Sequence, residues 1–211
     1  MSRSTSNSPM ITPIRLKGER FWTDTLIRRY LGDPDQTVRN PHYRSGPPMA
    51  LYDLARVMAC EQQPDVAAAL QRIAERRPQR QRIAQDIADR KRQAVLDWVR
   101  SLLIQLPALS HDQLIRQACD HYNTLWEERG RYDKWATPSD DPAFLARITV
   151  NFLRHACSPY EDHLDDLFGQ VGATKGRPLL KQRVLTAIAQ QYPDLTQECR
   201  RQQRALNSLD D

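Results

Sequence analysis

Between residues 72 and 92 the chain carries Arg72, Arg76, Arg77, Arg80, Arg82, Arg90, Lys91 and Arg92 against Glu75, Asp86 and Asp89, a local excess of +5 that equals the excess of the whole chain. Concentrated cations make a field that draws in phosphates. Each phosphate neutralised releases counterions, so such binding falls steeply with salt. Nearly all of the base is arginine, whose planar fork of donors fits phosphate or carboxylate oxygens. The plainer alternative for a charge run is a solvated helix face. A second cluster, Arg200, Arg201 and Arg204, offers the same chemistry near the C-terminus, or the polar face of a terminal helix.

Catalysis finds less material. His155, Glu161, Asp162, His163, Asp165 and Asp166 put two histidines and four acids within twelve residues, enough in principle for a metal or a general acid/base pair. No established ligand spacing such as H-E-x-x-H is present, and Asp162 and His163, being adjacent, point to different faces of a helix. His111 and His121, with Cys119 and Asp120, are equally unspecific. "GQVGATKG" fails the phosphate-loop spacing and no strand precedes it, so it reads as a loop. The expectation is no enzyme, no metal and no cofactor.

Composition sets the remaining bounds. With 211 residues and a mean hydropathy of -0.70, the chain has room for one or two domains and reads as extended or lobed. Its net charge of +5 favours an anionic partner. Cys60, Cys119, Cys157 and Cys199 are scattered without a C-x-x-C, which points to a reduced, cytoplasmic protein. No stretch is apolar enough for a membrane span, and the expectation is no membrane partner.

The elements that must position these residues read as mostly α. Proline-rich breaks around Pro41–Pro48 and Pro138–Pro142 divide the chain, because proline removes a backbone donor and pushes its predecessor out of the helical region. The expected organisation is a disordered tail over 1–12, a unit over 13–63, a basic helical arm and bundle over 64–137, and a C-terminal helical domain over 138–211. In "WTDTLIRRYLG" Thr23 caps a short helix that buries Leu26, Ile27, Tyr30 and Leu31 and stops at Gly32. In "DPDQTVRN" Asp33 and Pro34 suit the start of a second short helix. "MALY" suits a strand, Asp53 caps "LARVMACEQ", and Pro78 predicts a kink or break in the long helix that follows. Ser110 caps a helix ending at Gly130, and further helices fill 142–157, 160–172, 178–192 and 193–206. Trp22, Trp98 and Trp126 fall on core stripes, whereas Trp135, in "GRYDKWATPSDDP", either stacks on a partner or packs its loop.

The order of residues 22–63 resembles the compact winged-helix domains of the MerR and phage-excisionase type. "WTDTLIRRYLG" matches the first helix, "DPDQTVRN" the recognition helix, "PHYRSGPPMALY" the wing and "DLARVMACE" the next helix. The resemblance implies that Gln36 and Arg39 face base edges while His42, Tyr43 and Arg44 lie along the backbone. One departure is that the second helix opens with Asp33 and Asp35, which repel phosphate. The alternatives for this segment are a docking surface for protein and a structural cap. Residues 150–195 resemble a small helical bacterial domain of unknown function through Arg154, His155, Ser158, Tyr160, Glu161, Arg177, Arg183, Tyr192 and Pro193, which implies a boundary and no chemistry.

The resulting expectation is a mostly α protein with an N-terminal winged-helix-like unit bearing a small β ribbon, a central basic helical arm and a C-terminal helical bundle. Its expected function is binding of nucleic acid, DNA before RNA, with Arg72, Arg76, Arg77, Arg80, Arg82, Arg90, Lys91 and Arg92 gripping phosphates. The bundle would recruit a protein partner or form a homo-oligomer. A helical adaptor in a larger assembly and an RNA-binding factor are the alternatives.

Overall fold

The computed structural model describes residues 9–40, 46–133 and 135–207 of the chain. The fold is predominantly helical with one small sheet, and it divides into two compact units, Met1–Gln85 and Asp86–Asp211. Among the described residues, no helix is long and apolar enough to cross a membrane.

In the first unit, strands β1 (Met10–Ile11), β2 (Gln36–Val38) and β3 (Met49–Asp53) form an antiparallel sheet in the order β1-β3-β2. The sequence reads 1–12 as a tail, yet Met10 and Ile11 pair with Asp53 and Tyr52, and Ile11 is buried. Residues 1–8 lie outside the described residues. Helix α1 (Pro13–Glu19) starts with Thr12 accepting from the Arg15 N–H and Pro13 in the first turn. Helix α2 (Asp24–Leu26) is capped by Thr23 as expected and continues as a π-helical turn, Ile27–Leu31. Gly32, at φ 59 and ψ -131, ends it in a conformation that a side chain resists.

The second short helix expected from Asp33 does not form, and Gln36, Thr37 and Val38 pair instead with Leu51, Ala50 and Met49. Two causes are visible. Thr37 and Val38 are β-branched and suit a strand, and Asp35, in place of supporting its own helix, accepts from the Asp53 N–H at 2.8 Å and pairs with Arg56. Arg56 also donates to the carbonyls of Leu31 and Asp33, fastening the turn between α2 and β2. Asp53 then caps α3 (Leu54–Glu61), accepting from Ala55 and Arg56 N–H groups. Leu16, Trp22, Ile27, Leu31, Val57 and Val66 fill the core of this unit.

Helix α4 spans Pro64–Ser101 and passes through Pro78 without ending, so the expected break does not occur. Proline inside a helix removes one hydrogen bond and costs about 3 kcal/mol. Alanines, arginines and glutamines on either side are strong helix formers that offset part of it.

The second unit packs the end of α4 with α5 (His111–Glu127), α6 (Pro142–His155), α7 (Tyr160–Asp166), α8 (Ala173–Gln191), a 3-10 turn (Pro193–Leu195) and α9 (Thr196–Asn207). Ser110 and Gln113 form a reciprocal cap on α5. Residues 173–176, expected as loop, are the first turn of α8. Gly176 is buried there, and a Cβ on it would lie 3.1 Å from Leu167 and from Val95. That close approach lets packing extend the helix backwards past Pro178.

The residues of the second resemblance hold this unit together. Arg154 is buried and donates to Gln202 Oε1 at 2.8 Å and to His155 Nε2 at 2.9 Å. His155 Nδ1 meets Glu161, and Ser158 Oγ donates to the Arg154 carbonyl at 2.6 Å. Arg183 donates to the carbonyls of Arg100 and Leu102, where α4 ends. Tyr192 donates to the Pro107 carbonyl and accepts from the Leu109 N–H at 3.3 Å.

Candidate nucleic-acid interface

Arg72, Arg76 and Arg80 fall four residues apart on the first-unit part of α4, and the helical repeat sets them on one face with a rise of about 6 Å between neighbours. All three are exposed, and none makes an ion pair among the described residues. Arg82 is exposed as well, but two residues past Arg80 is about 200° around the helix, so it belongs to another face.

Arg77 is different. It is half-buried, its Nη1 donates to the Gly18 carbonyl at 2.9 Å, and its guanidinium stands 5.2 Å from the centre of the Phe21 ring. It tethers α4 to the last turn of α1 and to Phe21 just beyond it.

Phe21 carries the unexpected geometry of the site. Its φ is 62, a left-handed conformation in which a bulky residue is a genuine outlier. The strain is held from both sides. The Trp22 N–H returns to the Leu16 carbonyl at 3.2 Å, and the buried Trp22 indole and the Arg20 guanidinium both donate to Glu61 at 2.8 Å. Burial pushes the Glu61 carboxyl up, but hydrogen bonds from Arg20 and Trp22 outweigh it and hold the pKa below the usual carboxylate range. Phe21, Lys17, Arg77 and Arg80 with Ile73 line a pocket of about 350 Å³ beside the arginine face. Lys17 is paired with Asp24 at 3.0 Å, so among the described residues Arg80 is the free cation at its edge. An aromatic ring near a free guanidinium is an arrangement that can stack on a base while the cation holds phosphate.

Gln36 and Arg39 are exposed, the first on β2 and the second just beyond it, in place of the helix expected there. His42, Tyr43 and Arg44 lie outside the described residues. In the second unit Arg90 and Lys91 are exposed and unpaired among the described residues, while Arg92 is engaged by Asp89.

No family model, curated protein or solved structure matches the chain. The site therefore rests on its own geometry.

The histidines and acids considered for catalysis meet in two separate pairs, His155 with Glu161 and His163 with Asp166 at 3.6 Å. His155 is tied to Arg154 and Glu161, and the His163 ring stands edge-on to Trp98 at 5.7 Å. Among the described residues, no three His, Cys, Asp or Glu side chains converge as metal ligands. Burial raises the Cys119 thiol, and raises that of Cys199 to about 11, which keeps both protonated and unreactive. Trp135 is 59% exposed, and its loop is pinned next door by Asn123, whose side chain exchanges two hydrogen bonds with the backbone of Ala136 at 3.0 and 2.7 Å.

Sequence reasoning found the arginines and missed Lys17, Phe21 and Glu61. A left-handed phenylalanine has no signature in composition or periodicity, since helices normally place glycine there.

Proposed function

We propose that this chain is a non-enzymatic nucleic-acid-binding protein that takes duplex DNA on its first unit. The observation that carries the reading is the row of Arg72, Arg76 and Arg80, three exposed guanidiniums on one helical face that make no ion pair among the described residues. The Phe21 pocket beside the row supplies an aromatic contact. In this reading the winged-helix-like role passes to the ribbon of β2 and β3, because the major groove accepts a two-stranded ribbon as well as a helix. Gln36 and Arg39 then reach base edges, and the segment joining the strands, with His42, Tyr43 and Arg44, acts as the wing. The second unit recruits a partner or a second copy, and a reducing cytoplasmic setting completes the reading.

The test is fluorescence polarisation of the full chain against a labelled duplex, the matching single strand and a structured RNA across a salt series. Tight duplex binding that falls steeply with salt supports the proposal. Preference for looped or single-stranded RNA assigns the protein to RNA instead. Absence of binding to all three overturns it.

A second reading, a helical adaptor whose arginines pair with a partner's carboxylates, is favoured by the exposed Leu103 and Phe168 of the second unit, 75% and 79% accessible. Competition with bulk duplex DNA separates the two, because an adaptor's partner is not displaced by it.

A further inference from the structure

The groove between α8 and α9 in the second unit has a volume of about 490 Å³, a size typical of small-ligand sites. Three cations line it, Lys175 from the start of α8 and Arg200 and Arg204 one turn apart on α9. None of them makes an ion pair among the described residues, whereas their neighbour Arg201 is committed to Glu198 at 2.6 Å. No carboxylate is among the described residues that line the groove, and α8 carries Lys175, Arg177, Lys181 and Arg183 with no acidic residue. The field inside is therefore positive and locally uncompensated.

Cations alone describe a general anion site, but the rest of the lining narrows the chemistry. Pro178 and Leu179 are half-buried and offer an apolar surface on the α8 side. The Gln182 side chain adds an amide donor and acceptor a turn further on. Guanidiniums grip phosphate oxygens in pairs, an apolar surface takes the face of a planar ring, and an amide reads its edge. We propose that the α8–α9 groove binds a nucleoside phosphate, with Lys175, Arg200 and Arg204 on the phosphate and Pro178 and Leu179 against the base. The same chemistry is presented by a free nucleotide and by an unpaired nucleotide of a single strand. This site goes beyond the duplex grip proposed for the first unit and does not depend on it.

The experiment titrates the full chain with ribose-labelled ATP and, separately, with a short labelled single strand. Unlabelled ATP and inorganic phosphate serve as competitors. Saturable binding of either probe is expected, and the stronger of the two identifies the source of the nucleotide. Arg200→Gln and Arg204→Gln each weaken it about tenfold, the loss of one charge-assisted contact. Lys175→Gln, on the other helix, weakens it in the same direction with an unchanged thermal melt. Replacing Arg72, Arg76 and Arg80 leaves this binding intact, which separates its failure from failure of the duplex proposal. The proposal is overturned if neither probe saturates, if the three variants bind as the natural chain does, or if inorganic phosphate displaces ATP as well as ATP itself does.

Discussion

The Trp22 indole N–H donates to Glu61 Oε1 at 2.8 Å, so a buried ring from the turn after α1 is anchored on the last residue of α3. Arg20 binds the same carboxylate, whose side chain is 15% exposed. Glu61→Ala therefore removes the acceptor of two donors and leaves a half-buried guanidinium without its partner. It is expected to destabilise the first unit by about 2–3 kcal/mol, read from the midpoint of urea unfolding. Because the folded pKa of Glu61 is depressed, its stabilisation is complete above the unfolded value and is lost as pH falls through the folded one. The natural chain loses stability in acid on this account, and the variant has a flatter acid limb.

Phe21 offers a cleaner contrast, since glycine and alanine at one position remove the same ring and differ in tolerance of a positive φ. Phe21→Gly is expected to be more stable than Phe21→Ala by about 1 kcal/mol in thermal melts. Equal stability would mean that the left-handed turn relaxes once the ring is gone. Both variants lose the aromatic wall of the pocket, and both are expected to bind nucleic acid more weakly.

Arg72→Ala, Arg76→Ala and Arg80→Ala combined should reduce the slope of log affinity against log salt by about 2.7, or about 0.9 for each phosphate released. Arg82→Ala, on a different face, is the control and should alter the slope little. A triple variant with an unchanged slope removes the arginine row from the interface.

His155 predicts a pH effect in the second unit. Its Nε2 accepts from Arg154, and Nδ1 faces Glu161, so the neutral ring suits both neighbours. Burial lowers its pKa, the hydrogen bond to Glu161 opposes that, and the Arg154 and Lys181 charges add to the lowering. A depressed folded pKa means that the unfolded chain takes up the proton first. Stability should therefore fall as pH drops below about 6.5. His155→Gln is expected to flatten that dependence in melts across this range.

The helices with both ends marked were legible in the sequence. Thr23 and Gly32 bracket one, and Ser110 opens another, because capping is local chemistry that needs no knowledge of the fold. What was not legible depended on distant partners. Asp33 and Pro34 carry a helix signal, yet Thr37 and Val38 became strand because β3 lay open to pair and Arg56 claimed Asp35. The first turn of α8 was hidden for the same reason, since Gly176 breaks a helix locally and permits close packing on Leu167 only in the folded unit. The concentration of arginine between 72 and 92 could be read directly from the sequence. Its aromatic neighbour could not, because Phe21 gains its orientation from Trp22 and Glu61, which lie 39 residues apart.

Arg183 lies 83 residues after Arg100, and its guanidinium donates to the Arg100 carbonyl at the end of α4. During synthesis the last carbonyls of α4 leave the ribosome long before that guanidinium does. The carboxyl end of α4 must wait in water, frayed, until α8 has emerged, and the second unit locks only when nearly all of it has been made. A nascent chain stalled before residue 183 should consequently be cleaved by protease around 100–110, and one stalled well beyond it should resist.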